Sequence, residues 1–385
     1  MGGAASKPKL AHEVCIILLG SPGVGKSTVF KQLTLLYRND GFPPAFMGRV
    51  RPYVLEAMAL TQLGLLSYAR EANLELSAEL EAKGVALSEL AQRLHQEVLQ
   101  SEREGLLDQP AAAASAVAVA GAGAGAALAL MRSLAAEPAL QAARGAVFAQ
   151  GKQDALVAKH REALPETGQF FIDRLGEIGT GEEYVPSTLD LLYLRRSTTE
   201  ATAVSFDYTT SFSKVKEIVV PVTCIDVGGQ SEHERDWAAH GQNATAVVYV
   251  MCISDFDLVT EKGMNKLKES LSLLRSVVQS PVFAGKKLIV LFNKMDVIED
   301  KLKRCEFRHF FTTFQGDNTV PEVTAYFRER VRQLVEASAR EVGSPAVSLT
   351  IVESCAVNTT LMQSVLTAIL VGLYETAVKH MLGDD

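Results

Sequence analysis

Gly20-Ser21-Pro22-Gly23-Val24-Gly25-Lys26-Ser27-Thr28 is the stretch whose reading decides the fold. Before it runs Val14-Cys15-Ile16-Ile17-Leu18-Leu19, a charge-free apolar segment of the length of a buried parallel strand. After it, Val29-Phe30-Lys31-Gln32-Leu33-Thr34-Leu35-Leu36 carries apolar residues at helical spacing. Strand, glycine-rich turn and helix are the context that makes a GxxxxGK[ST] pattern a phosphate-binding loop. Gly20, Gly23 and Gly25 let the backbone N–H groups from Ser21 and Val24 to Thr28 close around phosphate oxygens, and the helix N-terminus adds its dipole. Lys26 is placed to reach the outer phosphates and the Ser27 hydroxyl to ligate Mg²⁺. A chance glycine-rich turn is the bland alternative, and both flanks count against it. The pattern predicts a nucleoside triphosphate site.

The 385 residues suffice for two or three domains, and 48% hydrophobic with 22% charged residues is the composition of a globular chain. A net charge of −7 and the lack of a basic stripe argue against nucleic acid. The five cysteines form no CxxC pair, and Cys15, Cys224 and Cys252 lie in apolar runs, as buried free thiols do. That usage, with no secretory leader, predicts a reducing, cytoplasmic location. Gly2 after the initiator and Ser6 four residues on fit N-myristoylation. One acyl chain with only Lys7 and Lys9 nearby predicts reversible association with the cytoplasmic face of a membrane.

Asn39-Asp40-Gly41-Phe42-Pro43-Pro44 breaks the first helix, and beyond it the texture turns wholly helical. Val54, Met58, Leu65 and Leu66 form an apolar stripe within 50–72, and 77–103 is rich in Leu, Glu and Ala. Residues 111–131 are uncharged and mainly Ala, Gly and Val, read as a low-complexity loop or loosely helical segment rather than a membrane span. From Lys216 strands at 218–225, 246–253, 288–292 and 348–352 alternate with helices at 264–278, 320–342 and 360–381. That alternation predicts an α/β fold with a mostly parallel sheet, whose ligands bind beyond the strands' carboxyl ends. The expected organisation is a tail at 1–12, an α/β domain of 13–42 plus 194–385, and an all-helical insertion at 43–193.

Two further motifs end strands. Asp226-Val227-Gly228-Gly229-Gln230 can hold the Mg²⁺ shell through Asp226, offer the Gly229 N–H to a γ-phosphate and orient an attacking water through Gln230. Asn293-Lys294-Met295-Asp296 selects guanine, because a carboxylate at Asp296 accepts the base N1–H and N2 amine that adenine lacks. After the last strand, Ser354-Cys355-Ala356 presents backbone N–H groups, at Cys355 and Ala356, to guanine O6. Each motif alone is weak; the three in this order point to GTP and GDP.

Together these residues resemble the GTPase superfamily and, within it, the α subunits of heterotrimeric G proteins. The closer resemblance rests on the helical insertion and on two segments. Tyr184-Val185-Pro186…Asp190-Leu191-Leu192…Arg195-Arg196-Ser197-Thr198-Thr199 is similar to the family's YIP…DVL…RxxTT. Ser254-Asp255-Phe256-Asp257-Leu258, Met264-Asn265 and Glu269-Ser270 are similar to SDYDL…MN…ES. The similarity is visible over 13–75 and 169–375, leaving the middle of the insertion unmatched. The resemblance implies a Ras-like domain with a helical insertion, and an enzyme that hydrolyses GTP. It implies that Arg195 neutralises charge on the γ-phosphate, that Thr198 joins Ser27 at Mg²⁺, and that Gly229 and Gln230 sense the γ-phosphate and orient water. It also implies that the insertion slows GDP release.

Several positions depart from the family. Pro22-Gly23-Val24 stands where the loop usually reads GES, so a glutamate is missing and hydrolysis is open to change. Glu200 replaces the glycine after TT, and Ser231-Glu232-His233-Glu234-Arg235-Asp236 is acidic where the family is basic. A short segment before Val14 leaves no room for the family's long N-terminal helix, and Lys379 to Asp385 is unlike its receptor-contacting tail. Coupling to a βγ dimer or a receptor is therefore left open, and effector and exchange factor are unnamed. A rival reading is a nucleotide-dependent scaffold with negligible hydrolysis; Arg195, Thr198 and Gln230 favour the enzyme. Trp237, the only tryptophan, matches the family's switch II tryptophan. Its emission is expected to change when GTP replaces GDP, which a stopped-flow exchange record checks.

Overall fold

The computed structural model describes residues 13–38, 41–103, 124–149, 155–165, 167–176, 178, 184–194, 201–212, 215–228, 234–260, 263–344 and 347–382. The expected tail at 1–12 lies outside them. The chain forms two compact units, Met1–Gly41 with Arg196–Asp385, and Phe42–Arg195.

The first unit opens with β1 (Val14–Leu19) and α1 (Lys26–Tyr37). The second unit contributes α2 (Pro44–Glu71), α3 (Ala78–Arg103), α4 (Ala124–Ala135), α5 (Pro138–Val147), α6 (Ala155–Ala163), α7 (Gly168–Asp173) and α8 (Thr188–Tyr193). The first unit then resumes with β2 (Thr202–Phe212), β3 (Val215–Asp226), α9 (Glu234–Gly241), β4 (Ala246–Met251) and α10 (Lys266–Gln279). It closes with β5 (Lys287–Phe292), α11 (Met295–Leu302), α12 (Val320–Glu341), β6 (Leu349–Glu353) and α13 (Thr359–Leu382).

The six strands run in the order β2-β3-β1-β4-β5-β6, and only β2–β3 is antiparallel. Alternate residues of each central strand enter opposite cores. Ile17, Leu19, Tyr249, Met251, Val290 and Phe292 pack with α10, α11 and α12. Ile16, Leu18, Val248, Val250, Ile289 and Leu291 pack with α1 and α13. Helices on both faces explain why β1, β4 and β5 read as continuous apolar runs rather than alternating ones. The connections from β1 diverge toward β3 on one side and β4 on the other, so the carboxyl end of β1 is the topological switch point where such sheets take ligands.

β2 is an addition to the sequence pattern, which starts the strands at 218. Val204 and Phe206 are buried while Ser205, Asp207 and Thr209 are exposed or half-exposed, the alternation of a strand covered on one face. The predicted strand to Ile253 ends at Met251, because residues 253–257 turn into a 3₁₀ segment.

The second unit is organised around α2, which buries the predicted stripe: Val54, Met58, Leu65 and Leu66 are all interior. It begins earlier than the apolar pattern indicates, with Pro44 in its first turn, where a missing N–H removes no helical bond. Of the two readings of 111–131, loop or loosely helical segment, the helical one holds for the last part. Residues 124–135 form α4, with Leu128, Met131 and Leu134 fully buried; residues 111–123 lie outside the described residues. Gln62 of α2 ties the two helices, donating to the Met131 carbonyl at 2.6 Å. Among the described residues no helix is long and apolar enough to cross a membrane. Truncating Leu128 to Ala is expected to destabilise the protein by about 2–5 kcal/mol, read as a shift in urea midpoint; an unchanged midpoint would contradict a core role for α4.

Candidate functional site

The carboxyl ends of β1, β3, β5 and β6 bring most of the expected site residues together. The loop from Gly20 to Gly25 leads into α1, whose N-cap Gly25 is left-handed at φ 99° and whose first turn holds no acidic side chain. An acid-free helix start leaves the dipole and the N–H groups of Lys26, Ser27 and Thr28 available to an anion. Pro22 is exposed, and Gly23 follows it at φ 76° within a turn. Proline then glycine at positive φ is the order of a type II turn. The departure from the family loop is thus accommodated as a turn.

Lys26 is 6% exposed, and its ammonium donates to the carbonyls of Gly20 at 2.9 Å and Ser21 at 3.0 Å. Burial pulls its pKa down to about 8, opposed by the Asp226 carboxylate. The parallel register places Asp226 beside Leu18, just before the loop, and Asp226 is interior. Ser27 stands half-buried in the first turn of α1. A hydroxyl and a single carboxylate are hard oxygen donors, the set that Mg²⁺ accepts when phosphates and water complete its shell. The residues present therefore fit that ion.

Asn293, 1% exposed at the end of β5, ties three loops together. Its Nδ2 donates to the Val24 carbonyl at 2.8 Å, and its Oδ1 accepts the Ala356 N–H at 2.9 Å. The Ser354 hydroxyl also donates to that oxygen at 3.3 Å. A Cβ at Gly25 would stand 2.3 Å from Nδ2, so the glycine is required by the asparagine as well as by its positive φ. Lys294 is left-handed at φ 58° and caps α11, whose first turn contains Asp296. Burial, then the Asp296 carboxylate beside it, pushes the Cys355 thiol up to about 11. The carboxylate and the 354–356 loop are therefore neighbours. Burial would raise the Asp255 carboxyl, yet Lys266, at 2.7 Å, with Lys294 and Lys301 holds it below its ordinary value.

The structure adds Gln32, which sequence reasoning passed over. It is fully buried on α1, and its Nε2 donates to the Ala356 carbonyl at 2.8 Å and the Thr359 hydroxyl at 3.2 Å. Its only signal is an uncharged amide at an interior helical position. Trp237 is 4% exposed, and its indole N–H donates to the Gly228 carbonyl at 3.3 Å. Gly2, Arg195, Thr198, Gly229 and Gln230 lie outside the described residues.

Comparison with known proteins gives a consistent picture. A family model described as the G-protein alpha subunit matches residues 4–371. It runs through the middle of the helical block, which the sequence motifs had left unmatched. Over 368 residues the chain is 26% identical to the guanine nucleotide-binding protein alpha-7 subunit of Caenorhabditis elegans, covering 95% of this chain and 89% of that protein. It is 23% identical over 379 residues to the alpha-4 subunit of Dictyostelium discoideum, covering 97% and 92%. Over a shorter span, 169 residues, it is 30% identical to subunit alpha-13 of Mus musculus, covering 43% and 42%.

The depressed Lys26 pKa has a measurable consequence. A polyphosphate favours the charged ammonium, so binding above about pH 8 takes up a proton and affinity falls as the pH rises further. Calorimetric titration in buffers of different ionisation heat is expected to show uptake at about pH 9 and little at about pH 6.5. Equal uptake by Lys26→Met would assign the proton elsewhere.

Proposed function

Because the chain belongs to the G-protein alpha subunit family, whose members are GTP-binding switches in signal transduction and GTPases, we propose specific roles for its residues in that cycle. The observation that carries the proposal is the Asn293 side chain, bonded at once to the phosphate-loop carbonyl of Val24 and to the N–H of Ala356. It couples the loop suited to phosphates to the loop suited to a purine edge.

In this reading the N–H groups of residues 20–28, Pro22 having none, receive the phosphates and Lys26 moves its ammonium from the Gly20 and Ser21 carbonyls to the outer phosphate oxygens. Asp296 accepts the guanine N1–H and N2 amine, the Ala356 and Cys355 backbone meets O6, and Lys294 covers the base. Ser27, Thr198 and Asp226 would hold Mg²⁺, which would supply neutralisation of phosphate charge. Gln230 orients the attacking water, and Arg195 meets the charge that grows on the transferring group; such an arginine is worth roughly 10³–10⁵ in rate. Thr198 and Gly229 lose their γ-phosphate contacts on hydrolysis, releasing the two segments that carry them. The 43–193 block acts as a helical domain that retards GDP loss. Gly2 carries a myristoyl chain that gives reversible membrane association, and an exchange factor and an effector of kinds the residues do not name complete the cycle. A βγ dimer and a receptor are further partners in this reading.

The test is single-turnover phosphate release from protein preloaded with GTP and started with Mg²⁺. Wild type is expected to release phosphate, with Gln230→Leu and Arg195→Ala strongly slowed. Retention of GTP without release in any of them favours a nucleotide-dependent scaffold, a reading that the Pro22-Gly23 turn in place of the family's loop glutamate keeps in view. Failure to retain guanine nucleotide at all overturns the site assignment.

A further inference from the structure

The sheet has two edges, and the chain treats them differently. At one end lies β6, only five residues long. Leu288 donates its N–H to the Ser348 carbonyl at 2.9 Å. The main chain of Ser348, Thr350 and Val352 therefore faces β5, and that of Leu349, Ile351 and Glu353 faces outward. Arg328 of α12 covers that outer side: its guanidinium donates to the Ile351 carbonyl at 3.0 Å and pairs with Glu353 at 2.6 Å. A short strand under a charged guard is one way in which sheets keep an edge from pairing.

At the other end β2 has eleven residues, and among the described residues no strand pairs beyond it. Its sequence holds a single charge, Asp207, and neither lysine nor proline. Its register with β3 is regular from Thr202 to Thr210. The direction of its main chain follows from the neighbouring strands. The Cys15 carbonyl accepts the Thr245 N–H on the β4 side at 2.7 Å, so Val14, Ile16 and Leu18 address β3. In a parallel pair the residues opposite them, Val222, Cys224 and Asp226, turn their own groups away, toward β2. Their antiparallel partners Phe206, Val204 and Thr202 are thus bonded to β3. Ala203, Ser205, Asp207 and Thr209 present N–H and C=O at the edge.

The two faces of this edge differ in chemistry. Toward α1, Val204 and Phe206 are buried and Tyr208 half-buried. Tyr37 stacks on Phe206 at 5.0 Å and meets Tyr208 edge-on at 5.7 Å. On the opposite face Ala203, Ser205, Asp207 and Thr209 are exposed. There the Ser205 and Thr223 hydroxyls share a hydrogen bond at 2.6 Å, and Thr223 donates to the Glu13 carboxylate. We propose that the β2 edge is a docking site for an extended segment of a partner protein. The segment adds antiparallel as a further strand, with apolar side chains on the Tyr37 face alternating with basic ones on the Asp207 face. Main-chain bonds supply the affinity of such an addition and alternate side chains its selectivity. Residues opposite each other share a face, which sets an apolar side chain beside Phe206 and Tyr208 and a basic one beside Asp207. A second copy of this chain is the poorer occupant, because it brings another Asp207 to the seam and a net charge of −7 to meet −7. The inference rests on the sheet alone and is independent of the nucleotide roles above.

The probe is a fluorescein-labelled peptide of about eight residues that alternates valine with lysine. It is titrated into the full-length protein by anisotropy, and amide hydrogen exchange is recorded residue by residue. Wild type is expected to bind saturably and to gain protection at Ala203, Ser205, Asp207 and Thr209, but not at Val204 or Phe206, whose N–H groups already belong to the ladder. Thr209→Pro deletes an edge donor while leaving the bonds to β3, and is expected to weaken binding about 10-fold. Asp207→Lys is expected to weaken it about 5-fold. If Thr209→Pro does not fold, the peptide decides instead: N-methylation of its lysines, whose N–H groups face β2, is expected to abolish binding, and N-methylation of its valines to spare it. Equal effects of the two overturn the inference. So does a peptide of the same composition with its lysines in one block that binds as tightly, since the contact is then charge attraction alone. Binding without protection of the four amides, or no binding at about 1 mM peptide, overturns it as well. A wild-type dimer in sedimentation equilibrium that Thr209→Pro dissolves assigns the edge to a second copy and overturns the choice of partner.

Discussion

One carboxamide governs the arrangement of the nucleotide-facing loops. Asn293 offers a donor and an acceptor a short distance apart, and it places the donor on Val24 and the acceptor on Ala356. An aspartate would set a negative oxygen against the Val24 carbonyl. An apolar residue would leave two buried backbone groups unmet, at about 1–3 kcal/mol each. Because β1, β4, β5 and β6 are successive in the sheet, the side chain spans from the loop after β1 to the loops after β5 and β6. Gln32 adds a second brace from α1 to the same Ala356. The loops after β1, β5 and β6 are thereby one polar network.

Much of this was legible because it is local. The glycine spacing, the charge-free strands and the NKxD run at the end of β5 each occupy a few adjacent residues whose chemistry admits few uses. What escaped was long-range or deceptive in composition. Gln32 finds its partner 324 residues away, which no spacing rule reaches. Helix α4 hides in an Ala/Gly-rich stretch, since small residues that look like a loop in isolation become contact surface once Leu128 and Met131 have a neighbour to pack on. Strand β2 turns its Ser, Asp and Thr residues outward and so blends into the polar segment before it.

The phosphate loop shows a different kind of gap. Sequence reasoning identified Pro22 as an intrusion that removes an N–H and stiffens the chain. Followed by a glycine at positive φ, it becomes the first corner of a turn. The burden falls instead on Lys26, whose ammonium is buried at a pKa of about 8 and, among the described residues, held by two backbone carbonyls beside a neighbouring carboxylate. A charge held that sparingly is poised to exchange those carbonyls for an anion.

The position of β1 in the sheet has a consequence for how the chain comes to be folded during synthesis. Its two neighbours, β3 and β4, lie beyond residues 215 and 246. At roughly 5–20 residues per second on the ribosome, the run Val14–Leu19 emerges tens of seconds before either partner exists. In that interval the helices of 42–195, whose contacts are mostly with one another, can already close around α2. The apolar strand waits unpaired, with the charge of Glu13 directly before it as the kind of gatekeeper that discourages pairing with other nascent chains. The sheet on which the phosphate loop sits is therefore completed only after β3 and β4 have been synthesised.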